Sequence, residues 1–159
     1  MSTLSVLATF ADPGSGMLVQ AESGSGFGLR FDTAEAGDAR QAASPTETVL
    51  AALAACTSMD VASILRKKRQ VPDEYQIAVT GERSTQHPQV FTAIVVEHRV
   101  TGDIDPEAVR RSVELSATRY CPVSAMLSAS VRIEHRYRLL RHGQDDEPAS
   151  ALVMVTGPG

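Results

Sequence analysis

Tryptophan is absent from the 159 residues, and aromatic side chains make up only 4% of them. A core built on stacked rings is therefore excluded, and Val, Leu, Ile and Ala must supply the buried surface. An excess of positive charge is missing as well. The formal net charge is −4, which argues against a nucleic-acid partner, because such proteins concentrate basic residues on one face. The single basic run, Arg66-Lys67-Lys68-Arg69, follows an apolar helical stretch and reads as cations complementing a helix C-terminus.

Long uninterrupted apolar runs are also scarce. Val49 to Leu65 is the best candidate, but it contains Thr57, Ser58, Asp60 and Ser63 and falls short of the ~20 apolar residues of a membrane span. A buried core helix and no membrane association are expected. The start, MSTLSVLATFADPG, has neither a basic n-region nor a small-residue cleavage pattern, so no signal peptide is read there. A reducing cytoplasmic setting is expected in turn, in which a disulfide is more often catalytic or redox-sensing than structural.

What is present is order. Residues 2 to 31 read as short strands, 17–22 and 26–31 among them, with turns at Asp12-Pro13-Gly14 and Ser23-Gly24-Ser25-Gly26. Residues 32–43 are small and polar and read as a loop. Ser44-Pro45-Thr46-Glu47 combines a capping-box pattern with proline at the first helical position. The helix it opens runs to about Lys68 and stops before Pro72. Its apolar run from Val49 to Cys56 predicts burial on most of its circumference.

Three further strands are expected over 75–84, 90–100 and 131–139. The last alternates Val131, Ile133, His135, Tyr137 and Leu139 against Arg132, Glu134, Arg136 and Arg138, the mark of one buried and one wet face. Asp105-Pro106 starts a second helix that breaks near Tyr120, since a residue before proline leaves the α region. Pro122 then opens a short helical turn. Residues 143–159, with their acidic DDE and terminal Gly-Pro-Gly, read as a loosely docked or disordered tail. The resulting class is α+β with antiparallel pairing rather than a βαβ series. The domain is placed at 1–141 and the tail at 142–159.

Two cysteines carry the chemical interest. Cys56 sits mid-helix among alanines, and Cys121 precedes Pro122 at the start of a helical turn, where the dipole favours thiolate. Free cysteines are also commonly small buried hydrophobes, and on position alone that reading competes. No metal is expected, because CxxC is lacking and His87, His98, His135 and His142 show no ligand spacing with either cysteine. His135 reads as a core histidine. No nucleotide-binding glycine motif implies a bound cofactor.

The segment SPTETVLAALAACTSMDVASILRKK, followed downstream by RYCPVSAML and a terminal amphipathic strand, resembles the OsmC/Ohr superfamily over roughly residues 1–141. The resemblance implies an intertwined homodimer, with the long helices central and antiparallel sheets wrapped around them. It implies a thiol-dependent peroxidase that reduces organic hydroperoxides. Cys56 by position attacks the O–O bond and becomes a sulfenic acid. Cys121 resolves it as a disulfide, and a dithiol such as a lipoyl protein reduces that bond.

In the peroxidase branch, an Arg held by a Glu directly after the helix-start proline activates the first cysteine. Thr46 occupies that place here and the carboxylate comes one residue later, at Glu47, so Glu47 is both a capping-box residue and a catalytic candidate. Arg30, Arg40 and Arg119 are the candidate cations. These departures resemble a separate OsmC-like branch. Val49, Leu50, Leu53 and Met126 are expected to line an apolar substrate site. The alternatives are a redox sensor that turns over poorly and an apolar-ligand-binding protein.

Overall fold

The fold is taken from a computed structural model that describes residues 1–33, 39–143 and 148–159. The chain divides into two compact units, Met1–Val49 and Leu50–Gly159.

In the first unit, β1 (Val6–Phe10), β2 (Val19–Ser23) and β3 (Gly28–Phe31) form an antiparallel sheet in that order. The expected turns join them. Asp12 accepts from the Gly14 N–H at 2.9 Å, and Gly26 adopts a positive φ of 88°, which glycine tolerates without a Cβ penalty. Val6, Leu7, Phe10, Phe27 and Leu29 remain exposed. Within the expected loop, Asp32 is buried and accepts from the Gln41 N–H; 34–38 lie outside the described residues.

The long helix α1 (Pro45–Lys67) begins in this unit and continues in the second. Its cap is the one the sequence announces. The Glu47 N–H donates to Ser44 Oγ, and the Ser44 N–H donates back to Glu47 Oε2. At the other end Arg69 takes a left-handed φ of 57°. The Gln70 N–H then reaches the Leu65 carbonyl and the Arg69 N–H reaches that of Arg66, the paired bonds that satisfy a helix C-terminus.

The second unit is a four-stranded sheet, β4 (Glu74–Arg83), β5 (Phe91–Thr101), β6 (Arg132–Leu140) and β7 (Ala151–Thr156), in that order. Helix α2 (Pro106–Leu115), a π-helical turn (Ser116–Tyr120) and α3 (Pro122–Ser128) lie between β5 and β6 in the chain.

Three expectations need correction. First, β5 and β6 pair in parallel. The two strands neighbour each other, but a helical excursion separates them, and such a crossover returns the chain in its original direction. The α+β class stands, with one parallel pair in the second sheet. Second, the tail is not loose, because Ala151–Thr156 is a strand paired antiparallel to β6. Gly157, at φ 94°, packs so closely on the Val131 carbonyl that a Cβ there has no room. The acidic DDE segment lies outside the described residues.

Third, the single chain buries only one stripe of α1, namely Leu53, Thr57, Val61 and Leu65. These recur every four residues and share one helical face. Met59 on another face is exposed. By length and composition α1 could cross a membrane, yet its buried stripe belongs to the packed core.

That core has two apolar clusters. One holds Val61, Leu65, Val100, Val109, Val113 and Leu139. The other holds Leu53, Ile94, Val96, Cys121, Val131 and Ile133. Four elements pass from one cluster to the other across a buried polar residue: Thr57 on α1, His98 on β5, His135 on β6, and Ser116 at the π-turn. A polar stratum thus interrupts the core, and the functional groups sit beside it.

Candidate active site

Cys56 is half-buried on α1, and Asp60 lies one turn later on the same face. Cys121 is 3% exposed. It arrives from the other side of the core because Pro122 pushes it out of the α region, to φ −76° and ψ 105°. Just before it, the Cys121 N–H bonds the Ser116 carbonyl at 3.0 Å, the five-residue spacing of a π-turn. Such turns add a residue to the helix and re-aim the chain beyond it. Cys56 Sγ, Cys121 Sγ and a carboxylate oxygen of Asp60 consequently lie within 4.8 Å of one another.

A hydrogen-bonded chain fixes the carboxylate. Ser116 Oγ donates to Asp60 Oδ2 at 2.9 Å. Its one proton is then committed, so the Thr57 hydroxyl is the donor in the 2.9 Å contact with Ser116 Oγ. Cys121 Sγ accepts from the Ser124 N–H at 3.3 Å. Burial pushes the Cys121 thiol well above the usual range. Hydrogen bonding to Cys56 raises it further, as does negative charge at Cys56 and Asp60, and the Ser124 N–H offsets only part of this. Chemically, a half-exposed sulfur faces a buried thiol held protonated, and a short movement joins them at the ~2.05 Å of a disulfide.

The other expected site residues have partners of their own. Glu47 belongs to the first unit, where the Ser44 N–H, the Ser44 hydroxyl and the Arg40 guanidinium hold its carboxyl at about 2. Of the three candidate arginines, Arg40 is the one paired with it, donating to both carboxylate oxygens at 3.1 and 2.9 Å. Arg30 lies on β3 opposite Gln20, and Arg119 stacks over the Tyr120 ring at 5.7 Å. The residues expected to line an apolar site differ in burial. Leu53 is fully buried, Leu50 packs against the Cys121 cluster, Met126 is 68% exposed, and Val49 is in the first unit. A cleft of about 410 Å³ does open at Asp60, walled by Ile64, Leu115 and Tyr120 with Lys67 and Lys68.

Sequence reasoning passed over Asp60, Thr57 and Ser116. The Cys-x-x-x-Asp spacing on a helix was a usable signal for Asp60, since it puts both side chains on one face. Ser116 offered none, because its position depends on the π-turn.

The family model for OsmC-like protein matches residues 37–136, which include α1, both cysteines and most of β6. The chain belongs to the OsmC-like family. It is 40% identical over 126 residues to Protein YhfA of Escherichia coli K12, covering 79% of this chain and 92% of that one. A solved structure from structural genomics shares 34% identity at a TM-score of 0.75, covering 86% of this chain and 98% of that one. An organic hydroperoxide resistance protein OsmC from Legionella pneumophila superposes at a TM-score of 0.60 with 17% identity, over 88% and 98% of the two chains. At that identity the Legionella likeness concerns the fold alone. In this member of the OsmC-like family, the two cysteine sulfurs and a carboxylate oxygen of Asp60 lie together.

Proposed function

We propose that this OsmC-like protein is a thiol-dependent peroxidase that reduces organic hydroperoxides. The observation that supports the reading is the convergence of Cys56 and Cys121, with the more exposed sulfur on α1 and the buried thiol opposite it. In the first step the Cys56 thiolate attacks the distal peroxide oxygen. The O–O bond breaks, the distal oxygen stays on sulfur as a sulfenic acid, and the alkoxide leaves, taking a proton from solvent to become the alcohol. In the second, the Cys121 sulfur attacks the sulfenic acid, a disulfide forms, and the hydroxyl leaves as water with the Cys121 thiol proton. An external dithiol such as a lipoyl protein then reduces the disulfide and is itself oxidised.

The remaining roles belong to the same reading. Glu47 holds the Arg40 guanidinium while capping α1. The cleft beside Asp60 receives the organic part of the peroxide, with Ile64, Leu115 and Tyr120 as apolar walls. The working form is a homodimer, which would cover the apolar side chains left exposed on the first sheet and on α1. Its setting is the reducing cytoplasm.

The deciding experiment is stopped-flow oxidation of the reduced protein by cumene hydroperoxide beside hydrogen peroxide, with free thiols counted afterwards. Fast loss of both thiols, preferring the organic peroxide, is expected. Oxidation no faster than that of a free thiol would reject the reading.

A further inference from the structure

One feature of this centre does not serve thiolate chemistry. A carboxylate beside two sulfurs repels the negative charge that a nucleophilic cysteine must develop. Asp60 is nevertheless held in place, by Ser116 and behind it Thr57. The same three groups make chemical sense around a cation. Two thiolates and a carboxylate are zinc donors, and zinc bonds of ~2.3 Å to sulfur and ~2.0–2.2 Å to oxygen bring tetrahedral donor atoms about 3.5–3.8 Å apart. The observed limit of 4.8 Å is one small side-chain adjustment from that arrangement.

The surroundings match a cation site in two further ways. A carboxylate ligand is ordinarily oriented by an outer hydrogen bond, which Ser116 supplies to Asp60. Beside Cys121, the Ser124 hydroxyl is 1% exposed and lacks a hydrogen-bond partner among the described residues. Among those residues, this is the one group of three or more Cys, His, Asp and Glu donors close enough to share an ion.

We propose that Cys56, Cys121 and Asp60 bind one zinc ion, with the fourth position open. Binding exchanges the thiol protons for the metal and changes no oxidation state. Three protein ligands and an open position are the composition of a zinc site that also admits water or a small anion. Occupancy ties up both sulfurs, so zinc-loaded protein resists oxidation and alkylation until the metal is withdrawn. The proposal needs only the reduced side chains and does not rest on peroxidase activity.

The test uses the reduced full-length chain, stripped of metal and titrated with Zn²⁺ against a chromophoric chelator, then with Co²⁺ as a spectroscopic probe. One zinc per chain is expected, with a sulfur-to-cobalt charge-transfer band. Cys56→Ser and Cys121→Ser lose the tight site. Asp60→Asn removes an anionic ligand, keeps the charge-transfer band and binds at least ~10- to 100-fold more weakly, since disturbing even the groups that orient a ligand costs that much. Protein oxidised to the Cys56–Cys121 disulfide takes up no zinc.

A reduced wild-type chain that takes up no zinc, or an Asp60→Asn variant that binds as tightly as wild type, overturns the proposal. Should a variant fail to fold, the wild-type readouts still decide it. Without the cobalt band, and without zinc protection of both thiols from iodoacetamide, the site does not exist. No peroxide enters these measurements. A chain that binds zinc yet ignores peroxide rejects only the peroxidase, and the converse rejects only the zinc site.

Discussion

Ser116 and Asp60 are joined across the core by a 2.9 Å hydrogen bond from hydroxyl to carboxylate. The contact ties the π-turn to α1 one helical turn beyond Cys56. It also uses the proton that would otherwise satisfy Thr57, whose own hydroxyl donates into Ser116. Substitution of Ser116 therefore disturbs the buried Thr57 hydroxyl and the half-buried Asp60 carboxylate together. Ser116→Ala is expected to destabilise the fold by about 1–3 kcal/mol, the cost of leaving buried polar groups unpaired. Ser116→Thr keeps the hydroxyl and should lose less. Urea denaturation of the three proteins measures this, and equal midpoints for wild type and Ala would refute the coupling.

The two thiols should differ sharply in reactivity. Cys121 is 3% exposed and its thiol is raised first by burial and then by its hydrogen bond to Cys56. Cys56 is half-buried. Iodoacetamide at neutral pH is thus expected to label Cys56 first, with Cys121 reacting only at strongly alkaline pH. The stability consequence has a definite sign. An unfolded chain gives up the Cys121 proton near the ordinary thiol range of ~8.5, whereas the folded chain retains it. Stability from this group is complete below that range and is lost progressively as pH rises from it towards the folded value of about 12. Cys121→Ser should flatten the alkaline loss. Peptide mapping after timed alkylation, with denaturation from pH 7 to pH 10, checks both statements.

Much of this arrangement could be read from the sequence because it is local. The Ser44–Glu47 cap, the proline after Cys121 and the alternation of β6 each act within a few residues, and each appears as expected. The parallel pairing of β5 with β6 was not legible, since strand order depends on where the helical crossover deposits the chain. Strand β7 escaped for a similar reason: a six-residue apolar segment near Gly-Pro-Gly becomes a strand through β6, not through its own pattern. At the site, two cysteines far apart in sequence were recognised through family resemblance. Asp60 was readable from helical spacing alone, and Ser116 was not, because the π-turn that aims it has no sequence pattern on which to rely.

Acid should destabilise the protein through the polar stratum. Burial holds His98 at about 3, with proximity to His135 adding to the effect, and burial alone holds His135 at about 4. Each keeps one ring nitrogen without a partner among the described residues, while the other meets Tyr75 or Thr156. Unfolding restores the normal value of ~6.5. Between that value and the folded ones the unfolded chain binds more protons, so stability is intact above a pH of ~6.5 and falls on acidification. The slope approaches ~1.4 kcal/mol per pH unit for each histidine that differs fully in protonation. His135→Leu should make the fall shallower. Denaturant midpoints from pH 7.5 to pH 4.5 test it, and an unchanged slope in the variant would remove His135 from the account.

Strand β7 supplies the last prediction. It covers the edge of β6, and its Thr156 hydroxyl partners His135 Nε2 at 3.0 Å. Ending the chain after Gly143 would leave residues 133–137 of β6, the stretch that β7 pairs, as an open edge. Exposed edges of this kind template pairing with other chains. The truncated protein is therefore expected to aggregate, or to melt well below the full chain. A Leu152→Lys variant offers a control, because Leu152 is 54% exposed on the outer side of β7 and should leave pairing intact. Light scattering during a thermal ramp distinguishes the two. A truncated chain that melts like wild type and stays monodisperse would mean that residues 148–159 are the dispensable tail their composition resembles, despite their pairing with β6.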